Sequence, residues 1–394
     1  MLLLASSFFA NSQISTSIIE HFSSLSDLKE GAWKNPALIS QKYKRSLSTV
    51  EGSFNYGERE RFGEFHADTY IKRDRLTISA YAHYENGSVR NRRICENADI
   101  DAVYPYLTYD TIGGNQNLER YAFGGEVDVK LSDRWRVGGS ASYRAGLYYR
   151  NRDPRPRTIT GDFRLSAGGA FVVSSNYDVA CAAFYKKYKQ SCEITFLSEL
   201  GASKIFHLTG LGSHYNRFAG QGLSNYYTGH SWGGSLALLP RLNGIYCDFS
   251  IGSDKLQLIL EDLNKLPMSI IRKLNLTFEA GYSDQKKGII FYSNIIKQKG
   301  FENIFGDATS SQYPQISSLY MNMINRYEAG VRASGNIRIK RSMLSITPDI
   351  RYFRYKEEYR DPYKSLIINS LSYSACCKGI FEIKERMLLK ASAT

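Results

Sequence analysis

Long stretches of this sequence alternate between apolar and polar residues with a period of two. In residues 121–131 the odd positions are apolar or glycine, and the even positions include Glu126, Asp128 and Lys130. After a polar turn at residues 132–134 the alternation resumes and continues to Tyr149. Such a period is typical of a β-strand with one apolar and one polar face, and a turn between two such runs predicts a hairpin. The chain is therefore predicted to be all-β and antiparallel.

The alternating runs are long for a soluble sheet. Strands of soluble sheets commonly have about 5 or 6 residues, whereas residues 135–149 and 326–340 each form one continuous run. A tilted strand needs about 9 to 11 residues to cross a bilayer. The polar faces carry Gly, Ser, Arg and Glu, which suit a hydrated lumen, and Tyr and Trp lie toward the ends of the apolar faces. We therefore predict a transmembrane β-barrel of about 16 to 18 or more strands in the outer membrane, with a soluble β-sandwich as the alternative.

Composition argues against several other classes of protein. The 394 residues include 51 Lys plus Arg and 38 Asp plus Glu, a net charge of +13, and 43% of them are hydrophobic. This hydrophobic content argues against intrinsic disorder. The sequence has no apolar run long enough for a membrane helix, which needs about 18 residues or more. Six cysteines without a C-x-x-C pair support neither a zinc site nor a disulfide framework.

The two ends of the sequence predict a signal peptide and a further strand. Residues 1–12, MLLLASSFFANS, look like an incomplete secretory signal peptide, with an apolar strand as the alternative. Residues 13–45 are predicted to be a periplasmic or lumenal segment, and residues 46–394 the barrel. Bacterial barrels have an even number of strands and a periplasmic C-terminus. Because the last predicted strand runs outward, at least one more strand is expected beyond residue 394.

The connections between predicted strands alternate in length. Short turns fall at residues 72–74, 132–134 and 174–176, and longer connections fall at 86–117, 151–157 and 186–190. Barrels have short turns on the periplasmic side and long loops outside, so the longer connections are predicted to be extracellular.

Residues 253–267 would break this alternation if they were a strand. The segment begins with Ser253 and ends at Pro267, and apolar residues recur between them at helical spacing, at Leu256, Ile259, Leu260 and Leu263. This pattern predicts a short helix in an outer loop or in the lumen.

Two groups of residues are candidate contact sites. The first long loop combines rings and a carboxylate that could contact a ligand or close over the pore: Tyr104, Tyr106, Tyr109 and Asp110. The alternative is an ordered loop that packs on its own rim. Arginines at the bases of the outer loops match lipopolysaccharide phosphates, or else form a vestibule for an anionic solute. They are Arg92, Arg93, Arg150, Arg152, Arg155 and Arg157.

The sequence contains no H-E-x-x-H or P-loop motif, and its six His are scattered. His83, on a polar strand face, is expected to be a solvated lumen residue. We therefore expect no enzyme activity, no cofactor, no metal site and no nucleic-acid partner.

Three short segments resemble known families. The Tyr-Pro-Tyr of residues 104–106 with Gly113 and Gly114, and LEDLNKLP at residues 260–267, are similar to uncharacterised outer-membrane β-barrels of Bacteroidota. WKNPAL at residues 33–38 resembles the entry segments of FadL-type and type IX secretion-associated barrels. The resemblance implies a fold and a location, but no activity.

The predicted function is capture or passage of a nutrient or other solute at the cell surface. Outer-membrane lipid and lipopolysaccharide are expected contacts, and a TonB-dependent receptor or a surface lipoprotein is an expected partner. The alternative is a non-transporting scaffold or partner subunit of a surface or secretion complex.

Overall fold

The computed structural model describes residues 47–56, 60–92, 96–198, 204–241, 243–284, 287–308, 313–339, 342–384 and 387–393. The predicted segments 1–12 and 13–45 lie outside these ranges, as does Arg93. The elements are β1 (Leu47–Tyr56), β2 (Glu60–Lys72), β3 (Leu76–Arg92), α1 (Ile100–Val103), β4 (Leu107–Asp110), β5 (Gly114–Lys130), β6 (Trp135–Tyr149), β7 (Arg155–Val172), β8 (Tyr177–Thr195), β9 (Ile205–Gly210), β10 (Ser213–His214), β11 (Asn225–Pro240), β12 (Gly244–Leu260), β13 (Leu266–Ser283), β14 (Lys287–Phe305), β15 (Gln315–Ile339), β16 (Ser342–Tyr359), β17 (Lys364–Lys384) and β18 (Met387–Ala393).

Fifteen of these strands form one antiparallel sheet. Its order is β1-β2-β3-β5-β6-β7-β8-β11-β12-β13-β14-β15-β16-β17-β18, so strands that follow one another along the chain pair with one another. The remaining three strands, β10, β9 and β4, form a small separate sheet. The predicted all-β, antiparallel fold is confirmed, and the fifteen wall strands among the described residues are consistent with the predicted number of about 16 to 18 or more.

The large sheet exposes an apolar outer face. Phe123, Trp135, Phe291 and Val331 point outward, and their side chains are between 42% and 55% exposed. Neighbouring positions point inward and are polar or small, as the period of two predicts. So much exposed aromatic and aliphatic surface would be a liability in water, whereas it matches the hydrocarbon around a membrane barrel.

The large sheet curls around the small one. Side chains from strands far apart in the large sheet all bond to the segments around the small sheet, so these strands must surround it. From β3, Arg92 donates to the carbonyl of Asn97, from β8 Tyr188 donates to Asp99, from β14 Gln298 donates to the carbonyl of Tyr104, and from β17 Lys364 donates to the carbonyl of Leu211. The large sheet is therefore the wall of a barrel, and the small sheet lies in its lumen.

The connections confirm the predicted alternation in length and correct one predicted loop. The turns after β2, β5 and β7 are short, whereas residues 93–113 and 196–224 form long connections at the other end of the wall. Residues 186–190 are not a loop, because they lie inside β8.

The predicted helix at residues 253–267 is wrong. Residues 253–260 belong to β12, and β13 begins at Leu266. Leu256, Leu258 and Leu260 alternate inward and are buried, while Ile259 points to the outer side. The inner face of this strand end is apolar because it packs against the small sheet, and the outward Ile259, which follows Lys255 and Gln257 on the outer face, completes a spacing that resembles a helix. Among the described residues no helix is long and apolar enough to span a membrane.

Candidate functional site

Two long connections fold back into the barrel from the same end. Residues 96–113 carry α1 and β4, and residues 204–224 carry β9 and β10. β4 pairs with β9 in antiparallel fashion, with Leu107 opposite Leu208. We call these two segments together the plug, because the wall strands surround them.

An apolar cluster joins the plug to one side of the wall. Val103 and Tyr106 of the plug are fully buried against inward-facing Leu258, Leu260 and Met268. The Tyr106 ring lies against Gly300 of β14, where an added β-carbon would come within 2.6 Å of the Tyr106 hydroxyl oxygen. Each large side chain buried in this way contributes about 1.5 to 3 kcal/mol. This cluster fixes the plug against β12, β13 and β14.

Asp99 anchors the plug to β6 and β8. Both Nη atoms of Arg144 in β6 donate to its carboxylate, at 2.8 and 2.7 Å, and the Tyr188 hydroxyl donates at 2.9 Å. Burial alone would raise the pKa of Asp99, but the hydrogen bonds and positive charge of Arg144 lower it below its ordinary value. Asp99 is therefore ionised and bound in a bidentate ion pair.

A second polar anchor centres on Glu357 of β16. This carboxylate is 1% exposed and accepts the Tyr104 hydroxyl at 2.7 and 2.8 Å, the Tyr355 hydroxyl at 2.6 Å and the Asn322 amide at 3.1 Å. Gln298 of β14 donates to the Tyr104 carbonyl at 2.7 Å. The backbone and the side chain of Tyr104 are thus both bonded to the wall.

A buried ion cluster holds the base of the plug. Arg150, 4% exposed, donates to Glu96 at 3.0 Å and to Asp110, and also to the carbonyl of Pro154 at 3.0 Å. Burial and a hydrogen bond shared with Asp110 raise the pKa of Glu96 to about 8. Burial would also raise the pKa of Asp110, but hydrogen bonds from Glu96, Arg150 and the Gly113 N–H lower it. At neutral pH Glu96 therefore holds the proton and donates it to an ionised Asp110.

The predicted ligand-contact residues all lie in the plug. Tyr104, Tyr106 and Asp110 are bonded or packed as described, and the ring of Tyr109 lies 6.1 Å from that of Phe206 in the other segment. The structure thus places this loop inside the lumen, and not on its own rim. Contact of these residues with a ligand stays a prediction.

The predicted anion-contact arginines have different surroundings. Arg150 is buried in the ion cluster, and Arg92 donates to Gln116 and to the carbonyl of Asn97, so both bind groups within the protein. Arg152 is exposed, whereas Arg155 and Arg157 line a cavity of about 370 Å³ at the rim, and Arg155 is paired with Asp153 at 3.1 Å. Lipopolysaccharide or anion contact stays a prediction for all six arginines.

Several anchoring residues were not singled out from the sequence. Arg144, Tyr188 and Glu357 stand at inward positions of long strands, which the period of two identifies as lumen-facing. Their partners are 45, 89 and 253 residues away in sequence, so only the fold brings each pair together. In the part of the chain that the structure describes, no three His, Cys, Asp or Glu side chains are grouped so as to hold a metal ion.

The model of a family described as "Family of unknown function (DUF6850)" matches residues 36–394. The chain belongs to this family. No curated protein matches its sequence. The Bacteroidota, FadL-type and type IX resemblances stay predictions.

Solved structures similar to this DUF6850 chain share little sequence with it. One is titled as the copper transporter OprC, with 7% identity, a TM-score of 0.40, and coverage of 88% of this chain and 62% of that one. Another is the ferric enterobactin receptor PfeA of Pseudomonas aeruginosa, with 8% identity, a TM-score of 0.41, and coverage of 86% and 60%. The CymD monoaromatic hydrocarbon channel has 8% identity, a TM-score of 0.37, and coverage of 94% of both chains. The chain thus spans less than two thirds of the length of the first of these.

Proposed function

We propose that this protein is an outer-membrane barrel that captures or passes a small solute at the cell surface, with the plug as its gate. The observation that carries the proposal is the position of the plug, which lies inside a polar lumen at the end where the longer connections meet. A plug formed by the wall's own connections closes the channel without a separate domain. Passage then requires the plug to move.

The anchors of the plug favour a movable closure. On the β6, β8 and β16 sides the plug is held by ion pairs and hydrogen bonds, at Asp99 and Tyr104. Such contacts can be exchanged for contacts with water or with a solute, since a hydrogen bond to a charged group stabilises a protein by about 1.5 to 3 kcal/mol. The apolar cluster at Tyr106 has no such exchange partner in water and serves as the fixed part of the gate.

The second candidate function is a non-transporting scaffold or partner subunit of a surface or secretion complex. In that case the plug is a permanent filling, and its polar anchors only set the shape of the lumen. A TonB-dependent receptor, a surface lipoprotein and lipopolysaccharide are the partners that we propose for either function.

Single-channel conductance in planar bilayers separates the two functions. The full-length protein is compared with a variant that carries Asp99→Asn and Tyr104→Phe, which weakens both polar anchors without changing the wall. We expect the wild type to conduct rarely and the variant to open more often, at least about threefold for each weakened hydrogen bond, because about 1.4 kcal/mol corresponds to a tenfold change in equilibrium.

A matched control carries the same kinds of substitution away from the plug, Asp133→Asn at a short turn and Tyr121→Phe on the outer face. Its openings should resemble those of the wild type. If the plug variant is silent, and a variant with residues 98–109 replaced by a short Gly-Ser linker is silent too, passage is refuted and the scaffold function is favoured.

A further inference from the structure

The lumen contains a cavity at mid-height of the wall, away from the plug residues. Its volume is about 180 Å³, and its polar lining comes from inward positions of β7, β11, β12 and β13. Pockets for drug-sized ligands measure about 300 to 1,000 Å³, so this cavity suits one smaller molecule. The lining includes one cationic side chain, Arg164, and the neutral polar side chains Ser166, Ser235, Ser250, Asn275 and Thr277.

Within the described ranges, four other lumen arginines are paired with carboxylates, whereas Arg164 is not. Arg136 is paired with Asp178 at 3.2 Å, Arg144 with Asp99, Arg332 with Asp349 at 3.3 Å and Arg351 with Glu328 at 3.4 Å. Arg164 takes part in no ion pair among the described residues. Its sequence neighbour Asp162 is bound by Lys186 at 2.8 Å and by Arg144 at 3.4 Å. The charge of Arg164 is therefore available to an anion in the cavity.

The structure holds Arg164 in place without using its charge in an ion pair. The guanidinium carbon lies 4.3 Å from the centre of the Phe184 ring, in a cation–π contact. The ring in turn lies over Gly233, where an added β-carbon would come within 2.6 Å of Phe184 Cε1, and over Gly252, where the distance would be 3.6 Å. The glycines thus leave room for the ring, and the ring supports the arginine.

We propose that this cavity binds a small sugar acid, a polyol that carries one carboxylate. Arg164 would bind the carboxylate in the bidentate geometry that a guanidinium favours. The Ser250 and Thr277 hydroxyls and the Asn275 amide, whose buried Oδ1 has no partner among the described residues, would bond to the hydroxyl groups. One cation beside several neutral hydrogen-bonding groups matches one negative charge on a hydroxylated molecule.

This proposal rests on the proposed function, because a solute reaches the cavity only when the plug moves. Binding is therefore measured apart from conductance, by calorimetry on the full-length protein in lipid nanodiscs. The probes are D-glucuronate, D-glucose and inorganic phosphate, each titrated into the wild type and into the Asp99→Asn, Tyr104→Phe variant. We expect glucuronate to bind at a ratio of one to one, more tightly than glucose or phosphate, and less tightly as the NaCl concentration rises.

Two substitutions locate the binding. Arg164→Gln should weaken glucuronate binding at least about tenfold, because a hydrogen bond to a charged group is worth more than a neutral one. Arg351→Gln removes another lumen arginine, one already paired with Glu328, and should leave the affinity unchanged. Both variants are first shown to be folded by their heat-dependent migration on a gel. If Arg164→Gln does not fold, the salt dependence and the preference for glucuronate over glucose decide the question on the wild type.

The proposal is overturned if Arg164→Gln binds glucuronate as tightly as the wild type, if glucose or phosphate binds as well as glucuronate, or if neither background binds glucuronate. The proposed function fails differently. Glucuronate binding without any conductance would refute passage and leave the site, whereas conductance without binding would refute the site alone.

Discussion

Glu96 makes the stability of the docked plug depend on pH. Its folded pKa of about 8 lies above its ordinary value of 4.5, so it stabilises the docked plug fully below pH 4.5 and loses this contribution as the pH rises through about 8. Above that pH two carboxylates, Glu96 and Asp110, face Arg150, with Arg92 as the other cation nearby. We expect residues 96–110 to exchange their backbone hydrogens faster at about pH 9 than at about pH 6, after correction for intrinsic rates.

Glu96→Gln is the test of this assignment, because an amide is neutral at every pH and can still donate to Asp110. It should flatten the pH dependence of exchange in residues 96–110. The exchange of a control peptide from β6 should not depend on pH in either the wild type or the Glu96→Gln variant. An unchanged pH dependence in Glu96→Gln would place the titration elsewhere.

Gly210 and Gly212 allow a test of how closely the plug packs against the wall, because they differ in their surroundings but not in the sign of φ. Both have positive φ, +106° and +73°, but a β-carbon at Gly210 would lie 2.8 Å from Asn322 Nδ2 and 2.8 Å from Glu357 Oε1, whereas nothing lies within 4 Å at Gly212. Backbone strain of about 1 to 3 kcal/mol applies to both positions. We expect Gly210→Ala to release the plug much more than Gly212→Ala, measured as the rate of trypsin cleavage after Arg217. Equal rates would contradict the close contact.

At the scale of the element, β15 allows a test of the two faces of the wall. Val331 points outward and is 42% exposed, whereas Ser334 points inward. An arginine against hydrocarbon near the bilayer midplane costs about 2 to 4 kcal/mol, so Val331→Arg should lower the free energy of unfolding by that amount and Ser334→Arg by little. The measurement is urea unfolding of the barrel in lipid vesicles. A similar loss in both variants would contradict the assignment of faces.

The strands were predictable wherever the two faces differ. Strands such as β5, β6 and β15 face lipid on one side and water on the other, so their period of two is visible in the sequence. At the end of β12 the inner face is apolar, because Leu256, Leu258 and Leu260 pack against the plug, and Ile259 adds an apolar residue to the outer face. The apolar residues of this segment therefore have the spacing of a helix. The prediction of a helix was wrong because the inner face of β12 packs against the plug, which lies far away in the sequence.

The candidate site was predictable only in part, for a similar reason. The rings of Tyr104 and Tyr106 stood out in a long loop, but whether such a loop lies outside the barrel or inside it depends on the wall around it. Arg150 looked like a surface cation until the structure placed Glu96 and Asp110 beside it. Charge alone does not show which arginines are already paired.

At the scale of the whole molecule, the alternation of short and long connections predicts its orientation. The long connections, and the plug with them, should lie on the cell surface, and the short turns in the periplasm. In a protein freed of native cysteines, Arg152→Cys should react with an impermeant maleimide on intact cells, whereas Asp133→Cys should react only after lysis. Reaction of Asp133→Cys alone on intact cells would invert the orientation.

The small sheet also has a consequence for the order of folding. Leu107 of β4 pairs with Leu208 of β9, and the chain between them builds the wall from β5 to β8. Contacts between residues so far apart in sequence carry a large loop-closure cost until the intervening strands are in place. The wall must therefore assemble first, and the plug must dock afterwards into a barrel that has already curved. A folding molecule is thus expected to pass through a stage in which the lumen is unobstructed, and this stage ends only when β4 meets β9.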